Sequence, residues 1–219
     1  MKLLLDPGAL DRALSLHLSP VTIPYPPEAR PAAVLVPVLL DGGPPRTLLQ
    51  VRSQELRDHA GELSFPGGKP EPGDADLLAT ALREAHEELA LPLDLVEPLG
   101  EMRSVPVITG KFLLHPFVAL VRGTPPLRPS PELERLIELP LTPWIKGERP
   151  IHGTVGTWRG ATFATPFFRL EGGEVLYGAS AVIFHELLER IATSCGHALP
   201  PLTMVEERPW GERYLGQVK

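Results

Sequence analysis

Residues 65–91 read FPGGKPEPGDADLLATALREAHEELAL, and the fold turns on this stretch. A glycine-rich turn around Gly67-Gly68 runs into a helix that carries Arg83, Glu84, Glu87 and Glu88. At about 100° per residue, Glu84, Glu87 and Glu88 fall on one flank of that helix, while Leu78, Leu82, Ala85 and Leu89 fall on the opposite, apolar flank. Three carboxylates on one flank repel each other, and a hard divalent cation with a preference for oxygen ligands turns that repulsion into coordination. Glutamates also favour helices, and any solvated surface helix sets a charged flank against an apolar stripe. Here, however, Arg83 is the only Lys or Arg between Asp74 and Leu95, so the acids lack the i+4 lysines that would stabilise a purely structural helix.

The run Arg83-Glu84-Ala85-His86-Glu87-Glu88 behind Gly67-Gly68 resembles the Nudix box, the loop–helix–loop signature of hydrolases that split a nucleoside diphosphate linked to another group. Two positions depart from the pattern. The interval from Asp74 to Arg83 is one residue longer than usual, and Ala90 stands where a late glycine is expected. Counted back from Arg83, the acidic position falls on Ala75, which leaves Asp74 without an assigned part. Upstream, residues 48–68 read LLQVRSQELRDHAGELSFPGG, similar to the signature of the coenzyme A pyrophosphatase branch of that family; Gln50 is its one residue off pattern. The branch also tolerates the longer interval before the arginine.

The resemblance implies an α/β fold, a Nudix-type α/β/α sandwich with a mixed β-sheet and a loop–helix–loop metal site. It implies Mg²⁺ or Mn²⁺ held by Glu84, Glu88 and Glu87, with Gly68 letting the backbone approach the ion and Gly67 letting it approach the phosphates. Arg83 would orient Glu84 or another box carboxylate through bidentate hydrogen bonds. Proton removal falls to Glu87 or, from a loop, to Glu132 or Glu134. Coenzyme A carries a diphosphate and a 3′-phosphate, so its site needs fixed cations beside the metal, and Arg52, Arg57 and Lys69, with Ser53, are the candidates. The implied reaction cleaves coenzyme A or acyl-coenzyme A to adenosine 3′,5′-bisphosphate and the (acyl-)4′-phosphopantetheine. Two alternatives share the same features: a pyrophosphatase for ADP-ribose, dinucleotides or noncanonical nucleoside triphosphates, and a non-catalytic regulator that binds a nucleotide.

The rest of the chain is consistent with one domain over residues 1–219. The 27 prolines are scattered among apolar runs and read as rigid loops. A net charge of −6 argues against nonspecific nucleic-acid binding and against an anionic membrane surface, and the small nucleotide partner that the resemblance implies must then be met by metal and a local basic patch. Asp6 and Pro7 interrupt the leucines of the N-terminus before a signal peptide's apolar core is complete, and no apolar stretch reaches the ~20 residues of a bilayer span. Cys195 is the only cysteine, which excludes an internal disulfide and a cysteine zinc cluster, and a reducing cytoplasm is the expected compartment. Neither a nucleophile elbow nor a P-loop is present: Gly178-Ala179-Ser180-Ala181-Val182 lacks the closing glycine.

Periodicity predicts a short helix over 10–18, a proline-rich lead-in to residue 30, and strands over 32–40 and 47–52 joined as a hairpin. Further strands are expected over 96–103, 112–121 with His115-Pro116 interrupting, 154–158, 161–170 and 175–177, then a helix over 179–193. The span 132–144 is a mixed run. An apolar groove near Phe112, Phe117, Phe167 or Phe168 is a candidate for the pantetheine arm. Residues 194–219 form an extension with three open fates: capping the domain, pairing with a second subunit in a homodimer, or partial disorder.

Overall fold

The computed structural model describes residues 12–13, 26–55, 60–158 and 161–211. All of the expected helix over 10–18 except the helical residues 12–13, most of the lead-in, and the last eight residues of the extension lie outside the described residues. The centre is β1 (Arg30–Leu40), an apolar run buried from Ala32 to Leu39. A strand buried on both faces has no solvent side to alternate toward, which explains its unbroken hydrophobic pattern. It pairs antiparallel with β2 (Arg46–Arg52) in the expected hairpin, Val38 opposite Thr47, and with the short β4 (Gly67–Gly68), Ala33 opposite Gly68. On its other side it runs parallel to β7 (Phe112–Arg122), which carries β5 (Val96–Glu101) and β6 (Val105–Pro106) antiparallel. β3 (Leu63–Ser64) and β8 (Leu133–Pro140) complete this mixed sheet against β2.

Two sequence expectations change. His115-Pro116 does not interrupt β7. The Pro116 carbonyl accepts a bond from Met102 N at 2.8 Å, so its missing N–H falls on the side where β5 and β6 leave a gap in the ladder. The mixed run contains a full strand, β8. Its alternation is weak because its exposed positions carry Glu134, Arg135 and Glu138 while both Leu136 and Ile137 are half-buried.

A helix, α1 (Leu77–Leu89), packs on one face of the sheet. Ala81, Ala85 and Leu89 meet Ala33, Leu35, Leu39 and Leu48, so the buried stripe is narrower and smaller-sided than Leu78 and Leu82 suggested. Two alanines facing Ala33 bring the helix close to the strand. The opposite face of the sheet, Val34, Val36, Val38 and Val118, joins one core with a second helix layer. After the short α2 (Thr142–Ile145), β9 (His152–Trp158), β10 (Ala161–Arg169), β11 (Val175–Leu176) and β12 (Thr203–Met204) form a separate four-stranded sheet in the order β11-β10-β9-β12. The helix α3 (Gly178–Ser194) packs between the two sheets through Ile183, Phe184, Leu187 and Ile191.

Phe167 and Phe168 are fully buried, which removes them from any pantetheine groove. Phe168 instead anchors a core cluster, with ring centroids 5.1 Å from Trp144 and 4.8 Å from Phe184 in edge-on geometry. Within α3 the buried Glu186 is paired with Arg190 at 2.7 Å and with Arg103 at 2.9 Å, which ties the turn after β5 to the second helix layer. Among the described residues no helix is long and apolar enough to cross a membrane.

Candidate active site

Asp76 starts α1. Its extended backbone (φ −160°) stands outside the helix, and its side chain accepts a bond from Ala79 N at 2.8 Å, satisfying one of the otherwise unpaired first-turn donors. With that start and the Ala81–Ala85 seam against β1, Glu84 and Glu88 project beside β4 and not into open solvent. Gly67 N donates to Glu88 Oε2 at 2.9 Å, and Gln50 Nε2 donates to the same oxygen at 3.1 Å.

Space requires the glycine at 67, where a Cβ would meet backbone, while a Cβ at 68 would displace the Glu84 carboxylate. A Cβ on Gly67 would lie 2.3 Å from the Ala33 carbonyl oxygen, and one on Gly68 would lie 2.2 Å from Glu84 Oε1. Gly68 therefore leaves its backbone facing a carboxylate, a cradle that any side chain would fill.

Arg83 holds the site together from below. Its Nε and Nη2 donate to the two oxygens of Asp74 at 3.0 and 3.1 Å, and Nη2 also donates to the Lys69 carbonyl at 3.0 Å. Its Nη1 lies 3.1 Å from Glu87 Oε2 and 3.1 Å from Glu84 Oε1. The bidentate partner expected among the box glutamates is thus Asp74, the residue that spacing alone left without a part. Asp74 also accepts from Glu71 N and Thr80 Oγ1, both at 2.9 Å, and the Arg83 guanidinium holds its carboxyl well below the usual range. The extra residue in the interval is absorbed in the turn, so that the acid still reaches the arginine.

Burial pushes the Glu88 carboxyl up to about 7, against the opposing bonds from Gly67 and Gln50 and with help from the nearby Glu84 charge. Burial likewise raises Glu84, partly offset by Arg83. Two acids with a raised affinity for protons are the state expected where a cation normally neutralises them. Among the described residues no three acidic, histidine or cysteine side chains converge as a preformed metal cage. Glu84 and Glu88 form the pair, while the more exposed Glu87 is turned to Arg83.

The donors nevertheless suit a hard cation: two carboxylates and a glycine backbone held open, with the buried Gln50 Oε1, which has no partner, beside them. Arg52, on the same face of β2 as Gln50, has its Nε buried without a partner. Ser53 N donates to the Glu132 carbonyl at 2.8 Å, which sets the exposed Glu132 beside the strand end. Glu134 is exposed and lies 3.9 Å from its neighbour Arg135. Lys69 Nζ sits over the Phe112 ring at 5.5 Å, where Arg30 also stacks, and not beside the glutamates. Arg57 lies outside the described residues. Sequence reading missed Gln50, because it was the off-pattern position, and Asp74, because of the longer interval.

The family model of the NUDIX domain matches residues 29–152, a span that includes β1, both glycines, α1 and the Glu132 loop. The chain belongs to the Nudix family. An uncharacterized Nudix hydrolase, NudL, of Photorhabdus laumondii is 33% identical over 175 residues, covering 77% of this chain and 91% of the relative. The NudL of Pectobacterium atrosepticum is 38% identical over 136 residues, 59% of this chain and 70% of the relative. Among solved structures, a Nudix hydrolase from Alicyclobacillus acidocaldarius aligns with a TM-score of 0.47 and 18% identity over 79% of this chain and 98% of that one. As a Nudix hydrolase, the chain places its box glutamates, glycines and arginine in one site, and the members of that family act on small nucleotide-like substrates with divalent metal ions.

Proposed function

We propose that this Nudix hydrolase cleaves the diphosphate of coenzyme A or acyl-coenzyme A, releasing adenosine 3′,5′-bisphosphate and the (acyl-)4′-phosphopantetheine. The observation that carries the reading is Arg52. Arg52 lies two residues beyond Gln50, the residue that touches Glu88, and its Nε is buried without a partner, which supports a cation available to an anionic ligand next to the proposed metal ligands. Its position in the LLQVRSQELRDHAGELSFPGG run supports coenzyme A as that ligand.

Glu84 and Glu88, with the backbone at Gly68, would hold Mg²⁺ or Mn²⁺. Such an ion, when bound, would neutralise charge on the diphosphate oxygens and acidify the attacking water. Arg83, clamped by Asp74, keeps Glu84 in place and spends no hydrogen bond on substrate. Arg52 and Ser53 orient the phosphates, with Arg57 as a further cation in the same segment. Gly67 lets the backbone run close to them. The candidates for proton removal are Glu87, held by Arg83 on the helix, and from the loop Glu132, exposed beside Ser53, or Glu134. The protein is expected in the cytoplasm, where coenzyme A is used.

The test is hydrolysis of coenzyme A, dephospho-coenzyme A and ADP-ribose side by side, with Mg²⁺ or Mn²⁺ and with chelator, products resolved by mass. Metal-dependent release of 4′-phosphopantetheine with coenzyme A strongly preferred is the expected result. Cleavage of ADP-ribose alone would keep the metal site and reject the substrate. No cleavage of any would favour a nucleotide-binding regulator.

A further inference from the structure

Gln50 is 1% exposed and lies in the middle of β2, where most sequences would place an apolar residue. Only one end of its amide is satisfied. Nε2 donates to Glu88 Oε2, while Oε1 is buried without a partner, although native proteins rarely leave such an acceptor orphaned. The two ends of an amide are a bond angle apart, so the orphaned oxygen sits beside the Glu88 carboxylate. Both bonds to Glu88, from Gln50 and from Gly67, fall on Oε2, which leaves the lone pairs of Oε1 for another partner. Leu48, two residues back on the same strand face, is plain core.

We propose that Gln50 is a positioning residue for the metal ligand Glu88. Its Nε2 fixes the carboxylate so that the free oxygen faces the ion, and its Oε1 accepts a hydrogen bond from the hydration shell of the bound cation. A half-satisfied amide in a dry strand is then the apo form of a fully satisfied one. This rests on Glu88 holding the ion and not on coenzyme A being the substrate.

Gln50→Met, close in volume, and Gln50→Val, suited to a strand, test it. Mn²⁺ is titrated calorimetrically into chelator-stripped full-length protein without substrate, and the unfolding midpoint in chelator and the steady-state constants are measured beside it. The expected result is Mn²⁺ binding weakened by about tenfold or more, kcat reduced to a similar degree, and KM within about twofold. The metal-free unfolding midpoint changes little, because removing the orphaned acceptor offsets the loss of the Nε2 bond to Glu88, which keeps its bond from Gly67 N. Unchanged Mn²⁺ affinity in either folded variant overturns the proposal. So does a loss of midpoint in parallel with affinity, which marks a structural role, and so does wild-type protein that binds no Mn²⁺. Wild-type protein that binds Mn²⁺ but spares coenzyme A rejects only the substrate, and the Gln50 titration stands independently.

Discussion

Replacing Glu88 by Gln should make the metal-free protein more stable while abolishing turnover. The Glu88 carboxyl rises from an ordinary value of 4.5 to about 7 because burial disfavours its charged form. In the unfolded chain it ionises near its ordinary value, whereas the folded protein retains the proton until about 7. Between those two values the folded state binds more protons, so Glu88 costs nothing below the lower value and progressively destabilises the fold as pH rises through the higher. The difference corresponds to about 3 kcal/mol when fully expressed. Glutamine carries no charge to desolvate and its Oε1 still accepts from Gly67 N or Gln50 Nε2, but those bonds lose their charge-assisted strength. The net gain for Glu88→Gln is therefore about 1–2 kcal/mol at about pH 8 and near zero at about pH 5. Urea denaturation at both pH values in chelator reads it directly. Repeating the series with Mg²⁺ should reverse the order, since a ligand of the folded state stabilises only the protein that binds it. A variant no more stable than wild type at the higher pH without metal would refute the burial argument, and unchanged turnover would refute the assignment of Glu88 to the metal.

Asp74→Asn should lower kcat by about tenfold and raise the Mg²⁺ concentration needed for half-maximal rate, because Arg83 loses its bidentate anchor and is drawn toward Glu84. A Mg²⁺ series at saturating substrate measures both, and wild-type behaviour would remove Asp74 from the site. Ala90→Gly should stabilise the protein by about 1 kcal/mol without changing activity, since Ala90 closes α1 in the left-handed region at φ 52°, where its Cβ is strained. A thermal unfolding curve lower than wild type would show that the Ala90 methyl contributes packing that outweighs the strain.

The parts of the fold that were legible are those in which one physical requirement controls the residues. β1 must be apolar on both faces, α1 must set Ala85 and Leu89 against carboxylates, and the Gly67–Gly68 pair must admit Ala33 and Glu84; each leaves a pattern that can be read without coordinates. β8 was illegible because it lies at the sheet's margin, where partial burial permits charged and apolar residues to mix. Pro116 was misread for a related reason: a proline argues against a strand only if its missing N–H falls where a partner needs it, and that depends on the neighbours. In the site, Glu84 and Glu88 were found by helical phase, but Asp74 was not, because counting positions along the chain ignores that a turn can absorb one residue and still deliver a carboxylate to the same arginine. Gln50 needed burial and an unpaired oxygen to become visible, and neither is a property of sequence.

The loop that follows β7 does more than carry Glu132. Arg128 N and Ser130 N donate at 2.8 Å to the carbonyls of Leu89 and Glu88, the last turn of α1, while the Glu132 carbonyl receives Ser53 N. One short segment is thus pinned to the glutamate-bearing helix α1 at one end and to the end of β2 at the other. Backbone hydrogen bonds make both attachments, and the Leu127 side chain adds packing against the core under α1. Because the donors are backbone N–H groups, these bonds tolerate a change of side chain at Arg128 and Ser130 but not a proline, so a relative with a divergent loop can keep the same link between α1 and β2.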